Sequence, residues 1–186
     1  MPTQIKLTQL YLFQPKEASL CRLRLSGSTN MLEIIIPGHK TLLLHHLVMD
    51  YNGTLAQDGV LLDGVHPRLT SLSETLRLHV VTADTFGLAR SQPTGLPCEL
   101  VILPVEDQAN AKLAYIQRLG EDQVVAIGNG RNDHLMLQAA ALGIAIIQGE
   151  GAAIETCLAA DVLAPDILTA LDLLLSPKRL IATLRS

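Results

Sequence analysis

From Thr41 onward the chain alternates short uninterrupted apolar blocks with longer stretches in which apolar residues recur at helical spacing. Residues 42–50, 78–81, 99–103, 124–127, 144–147 and 162–163 read as strands. Residues 67–76, 107–119, 132–142, 151–159, 165–175 and 178–184 read as helices. Alternation of this kind marks repeated βαβ units, so the expected fold is α/β, a three-layer, doubly wound, mainly parallel sheet. Residues 55–62 contain Asp58-Gly59, a strong two-residue hairpin signal, and predict a small β-hairpin flap directly after the strand that ends at Asp50. Pro67 suits the first turn of its helix, Gly120 closes another, and residues 91–97 form a loop rich in Pro and Gly.

The first 30 residues have no sustained period. A strand is expected at 32–36, opened by Met31 and closed by Pro37-Gly38. Residues 1–30 are either a loosely ordered extension or lie upstream of a true start at Met31, and 31–186 form the single domain. No charged start followed by an apolar segment and a cleavage site marks a signal peptide.

Composition narrows the function. The 186 residues are 48% hydrophobic with only 3% aromatics and no Trp, so Leu, Ile, Val and Ala must fill the core, as in a parallel sheet covered by helices. Eighteen acidic against 14 basic residues give a net charge of −4 without a basic block, which argues against nucleic-acid binding. No apolar stretch approaches the roughly 18 to 20 residues of a membrane helix, so a soluble protein is expected. Cys21, Cys98 and Cys157 are an odd number without metal-ligand spacing and read as reduced cytosolic core thiols. His45 and His46 alternate on a strand, so one of them faces the core or an edge, and metal binding is not expected of either.

Two strand ends carry the chemistry. Met49-Asp50-Tyr51-Asn52-Gly53-Thr54-Leu55 puts an acidic residue at the end of a buried strand before a Gly-Thr turn. Gly128-Asn129-Gly130-Arg131-Asn132-Asp133 follows another buried strand and opens a helix. In doubly wound sheets ligands bind beyond the carboxyl ends of strands, so both lie where a site would form. Each also has a plain structural reading, as turn or helix-cap residues.

Asp-x-x-Gly-Thr at Asp50, Thr82 ending a strand, Lys112, and Gly-x-Gly-x-Asn-Asp at Gly128 to Asp133 together resemble the ordered four-motif pattern of the haloacid dehalogenase (HAD) superfamily. The resemblance covers about residues 31–186 and is closest to soluble proteins related to the phosphorylation domain of P-type ATPases. It implies a HAD-like Rossmannoid fold and a cytoplasmic, Mg²⁺-dependent phosphohydrolase acting through an aspartyl-phosphate on a small phosphorylated substrate. Asp50 would be the nucleophile, Thr54 would complete the turn, and Gly53, Thr82 and Lys112 would hold the phosphoryl group. Asp50, the Asn52 carbonyl, Asn129 and Asp133 would hold Mg²⁺, a hard cation favouring oxygen. The short intervals between the motifs leave no room for an inserted cap, so the site is capless. Capless members take large substrates or use a neighbouring subunit to exclude water, and a homo-oligomer is one expectation.

Two residues depart from the pattern. Asn52 stands where phosphatases of the family keep a general acid-base Asp, and an amide cannot shuttle a proton at neutral pH. Asn129 stands where the first Asp of the last motif would ligate metal. These substitutions motivate a rival expectation, a catalytically weakened or inactive HAD-like binding or regulatory protein. Arg131 and His134 lie beside the last motif, and an exposed helix face is the simpler expectation for His134.

Overall fold

The computed structural model describes residues 21–23, 31–83 and 95–186. Most of the expected N-terminal extension and most of the loop at 91–97 lie outside them. Strand β1 (Cys21–Leu23) pairs antiparallel with β2 (Leu32–Ile35), which pairs antiparallel with β3 (Thr41–Leu44). This three-stranded sheet precedes the main one. The chain continues through β4 (His46–Asp50), the hairpin β5 (Ala56–Gln57) and β6 (Val60–Leu61), α1 (Val65–Leu72), β7 (Arg77–Thr82), β8 (Cys98–Ile102) and α2 (Gln108–Leu119). It ends with β9 (Val124–Gly128), α3 (His134–Ala139), β10 (Leu142–Ile146), α4 (Ile154–Ala159), β11 (Val162–Ala164), α5 (Ile167–Leu175) and α6 (Pro177–Leu184).

The main sheet has the order β11-β10-β9-β4-β7-β8, and every adjacent pair is parallel. Its strands alternate between two apolar layers. On β4, Leu47 and Met49 join Leu69 of α1, Leu171 of α5 and Leu180 of α6. Val48 points the other way, to Tyr115 and Ile116 of α2 and Met136 of α3. The expected three-layer α/β fold is therefore present, with β4 in the interior of the sheet. The flap is present too: Asp58 (φ 51°) and Gly59 (φ 78°) both adopt left-handed conformations, as the tight primed hairpin turn requires.

Two expected elements are drawn differently. The strand predicted over 42–50 is two strands in two sheets. β3 exposes alternate residues, whereas Leu47 to Asp50 are buried on both faces. The change of sheet falls at His45, whose N–H donates to the Gln123 carbonyl (2.8 Å) and whose carbonyl accepts from Arg77 N–H (2.9 Å). The helix predicted over 132–142 is shorter: a 3-10 turn covers Arg131–Asp133, α3 stops at Ala139, and Leu142 already pairs with Val125 in β10. Ala139, Ala140 and Ala141 favour helix locally, but tertiary pairing overrides them. Gly143 marks the turn-back, since a Cβ there would lie 2.5 Å from the Leu137 carbonyl oxygen.

Candidate active site

Register alone gathers the strand-end motifs. Asp50 pairs with Val81 and Met49 with Ile127, so Thr82 and the Gly128-Asn129 segment extend beside Asp50 on its two sides. The next strand outward, β8, leads into α2, which delivers Lys112 from the helix layer. Asp50, Asn52, Thr82, Ala83, Gln108, Asn129, Gly130, Asn132 and Glu150 line one cleft of about 270 Å³.

Lys112 lies at the floor. Only 1% exposed, its Nζ donates to Asp50 Oδ1 and to Asp133 Oδ1, each at 2.6 Å. The other Asp133 oxygen accepts from Asn129 N–H (3.0 Å) and Gly130 N–H (2.8 Å). Asp133 is thus fully buried and bonded through both oxygens. Gly128 makes room for it: a Cβ at that position would lie 2.5 Å from the Asp133 carboxyl carbon. Burial by itself would lower the Lys112 pKa, but the carboxylates of Asp133 and Asp50 outweigh it and hold the ammonium above its ordinary range. Burial, then the Asp133 charge, push Asp50 up to about 7 against the pull of Lys112.

The turn after Asp50 is tied down from two directions. Thr54 Oγ1 donates to Asn129 Oδ1 (3.1 Å), linking the first motif to the last. Gln148, on the loop after β10, donates through Nε2 to the carbonyls of Gly53 and Thr54, both at 2.8 Å, and its Oε1 accepts from Ile167 N–H (3.0 Å). Asn52 is exposed at the cleft, with no carboxylate to offer. Across the cleft Asn132 Nδ2 donates to Gln108 Oε1 (2.6 Å).

All the residues expected at the site on sequence grounds, Asp50, Asn52, Gly53, Thr54, Thr82, Lys112, Asn129 and Asp133, fall in or directly around this cleft. Arg131 instead pairs with Glu155 at the exposed rim (2.6 and 3.1 Å). His134 turns its Nδ1 toward the Arg131 carbonyl (2.7 Å). Gln148 and Glu150 were not legible as site residues. The available signal was that β10 is a buried parallel strand whose carboxyl end opens on the same edge.

The donor set suits a hard divalent cation. Asp50, the Asn52 carbonyl and Asn129 offer oxygen, and two buried carboxylates share one ammonium, leaving negative charge in excess. Among the described residues no three His, Cys, Asp or Glu side chains form a metal cluster.

Away from the cleft, His46 Nδ1 and His79 Nε2 are 3.0 Å apart, and His79 Nδ1 lies 2.9 Å from Tyr115 OH. Burial first, then the His79 charge, lower the His46 pKa to about 4. Cys98 and Cys157 are free thiols, half-buried rather than in the core, and burial pushes Cys98 up to about 12.

The model of the haloacid dehalogenase-like hydrolases matches residues 108–160, from the start of α2 through the last motif to the end of α4. The uncharacterised protein MJ0073 of Methanocaldococcus jannaschii is 47% identical over 79 residues, 40% of this chain and 85% of that protein. The cobalt-bound deoxy-D-mannose-octulosonate 8-phosphate phosphatase of Haemophilus influenzae superposes with a TM-score of 0.59 at 15% identity, covering 73% of this chain and 90% of the other. The 3-deoxy-D-manno-octulosonate 8-phosphate phosphatase of Moraxella catarrhalis, in complex with magnesium, phosphate and KDO, gives 0.55 at 17% identity over 76% and 94%. The match over residues 108–160 relates that part of the chain to the haloacid dehalogenase-like hydrolases, and the fold is shared with these phosphatases. No helix among the described residues is long and apolar enough to cross a membrane.

Proposed function

We propose that this protein is a Mg²⁺-dependent phosphohydrolase that works through an Asp50 aspartyl-phosphate on a small phosphorylated compound. The observation that carries the reading is the Lys112 ammonium held at 2.6 Å from Asp50 and from Asp133 at the carboxyl edge of the sheet. Phosphoryl transfer depends on positioning and charge neutralisation, and that floor supplies both. Asp50 attacks phosphorus in line as the bond to the leaving-group oxygen breaks, and water then hydrolyses the aspartyl-phosphate to inorganic phosphate and the free carboxylate. Lys112 fixes the attacking oxygen and offsets the charge spread over the phosphoryl oxygens, while Asp133 holds Lys112 in place. Thr82, at the end of β7, lines the position of the phosphoryl group. Mg²⁺, held by Asp50, the Asn52 carbonyl and Asn129, would supply further charge neutralisation.

Asn52 cannot protonate a leaving group or activate water, so compounds with leaving groups of low pKa, such as acyl or aryl phosphates, fit this cleft best. The motif forms support kinship with the phosphorylation domain of P-type ATPases. The octulosonate phosphatases support the fold at 15–17% identity and leave the substrate open. The free thiols agree with a cytoplasmic enzyme, and a homo-oligomer would give a capless cleft its shield from water.

The test is incubation with Mg²⁺ and acetyl phosphate or an aryl phosphate. Phosphate release and an acid-stable, base-labile adduct, both absent in Asp50→Asn, are the expected result. The absence of both release and adduct would overturn the reading. It would instead favour the second one, a binding or regulatory protein, which Asn52 and Asn129 motivate.

A further inference from the structure

Glu150 is a carboxylate at the cleft without a hydrogen-bond or ion-pair partner among the described residues. It stands on the loop after β10, and its Oε2 lies 2.7 Å from the point a Cβ on Gly53 would occupy. Asn129 Nδ2 lies 2.8 Å from the same point, so the two side chains flank the Asn52-Gly53 segment together. Asn129 also secures that loop: its Nδ2 donates to the Gly151 carbonyl (3.1 Å), and its own carbonyl accepts from Ala153 N–H (2.9 Å). A carboxylate at 129 would have no N–H to give Gly151. Of the other acidic groups, Asp133 has both oxygens engaged and Asp50 shares Lys112.

We infer that Glu150 supplies further negative charge for the divalent cation at this cleft, acting beside the neutral Asn129, whose amide secures the loop that carries it. The inference rests on the cation-dependent reading above. With Asp50 and Asn129 as nearer oxygen donors, Glu150 reaches the cation through its bound water, as an outer partner that sets affinity. Such partners typically change metal affinity by about 10- to 100-fold.

Mg²⁺ binding by the full chain, measured by calorimetry without any phosphate compound, tests this. Glu150→Gln should weaken Mg²⁺ by about 10-fold or more while leaving the metal-free melting temperature unchanged. Glu155→Gln, which removes the rim carboxylate paired with Arg131, should bind as the parent does. Equal affinity in parent and Glu150→Gln, or an equal loss in Glu155→Gln, would overturn the role given to Glu150. A parent that binds no Mg²⁺ would instead overturn the cation-dependent reading, and this inference with it.

Discussion

Lys112 and Asp133 form a 2.6 Å ion pair in which neither side chain is more than 1% exposed. Removing one partner of a buried pair leaves an uncompensated charge and typically costs about 3–5 kcal/mol. Lys112→Met should therefore lower unfolding free energy by about that amount in urea titration, besides abolishing the adduct. Asp50→Asn keeps the Lys112–Asp133 pair and should lose much less stability while also losing the adduct. Equal destabilisation by the two changes would contradict this account of the floor.

Restoring a carboxylate at position 52 should raise turnover. General acid-base assistance is worth about 10²- to 10⁴-fold, and Asn52→Asp places a proton carrier at the cleft. Steady-state hydrolysis of alkyl phosphates, whose leaving groups need protonation, should gain more than hydrolysis of acetyl phosphate. A uniform gain across both would point to a different effect.

Gly128→Ala should damage the site from behind. Its new methyl would meet the Asp133 carboxyl at 2.5 Å within the buried floor. Overpacking of this kind costs about 1–3 kcal/mol, and here the displaced group is the one that holds Lys112. Loss of both thermal stability and Mg²⁺ affinity is expected, with the far-ultraviolet spectrum retained.

Gln148 acts through the backbone it clamps. Gln148→Ala would strip the bonds to the Gly53 and Thr54 carbonyls and to Ile167 N–H, at about 1–3 kcal/mol if water does not replace them. Because the loosened segment carries the Asn52 carbonyl, the fall in kcat should exceed any change in KM.

The His46–His79 pair sets an acid limit on stability. His46 stays uncharged in the folded protein down to about pH 4, whereas in the unfolded chain it takes a proton near pH 6.5. The unfolded state therefore binds more protons as pH falls from 6.5 toward 4, and stability drops across that window. Because His46 is partly exposed, screening reduces its share to about 1–2 kcal/mol. The difference between parent and His46→Gln, followed by urea titration from pH 7 to 4, should shrink by that amount toward acid.

The architecture was legible where the apolar period was clean. Buried strands such as 124–127, ending in Gly-x-Gly or Asp-x-x-Gly-Thr turns, announce both the parallel sheet and the edge on which chemistry collects. Legibility failed where two signals ran together. Residues 42–50 are continuously apolar up to His45, so nothing local shows that the chain changes sheets there. The alanines at 139–141 favour helix, and only pairing of Leu142 with Val125 ends it. Gln148 and Glu150 sit in a short Gln-Gly-Glu-Gly turn without a motif, and their roles arise from contacts with Gly53 and Asn129, far away in the chain. His79 and Tyr115 are both buried, and their polar atoms meet only once strand and helix pack.

β4 is hydrogen-bonded to β7 on one side and β9 on the other, while the β5-β6 hairpin is a two-stranded sheet tied at its base to the first motif, where Ala56 N–H donates to the Tyr51 carbonyl and Gly53 N–H to the Ala56 carbonyl. Amides of doubly paired interior strands exchange with solvent through the rarest openings, and those of a small two-stranded hairpin through more frequent ones. The nucleophile is thus moored to the slowest-exchanging part of the molecule, and exchange should quicken from there toward the Asp58-Gly59 tip of the flap.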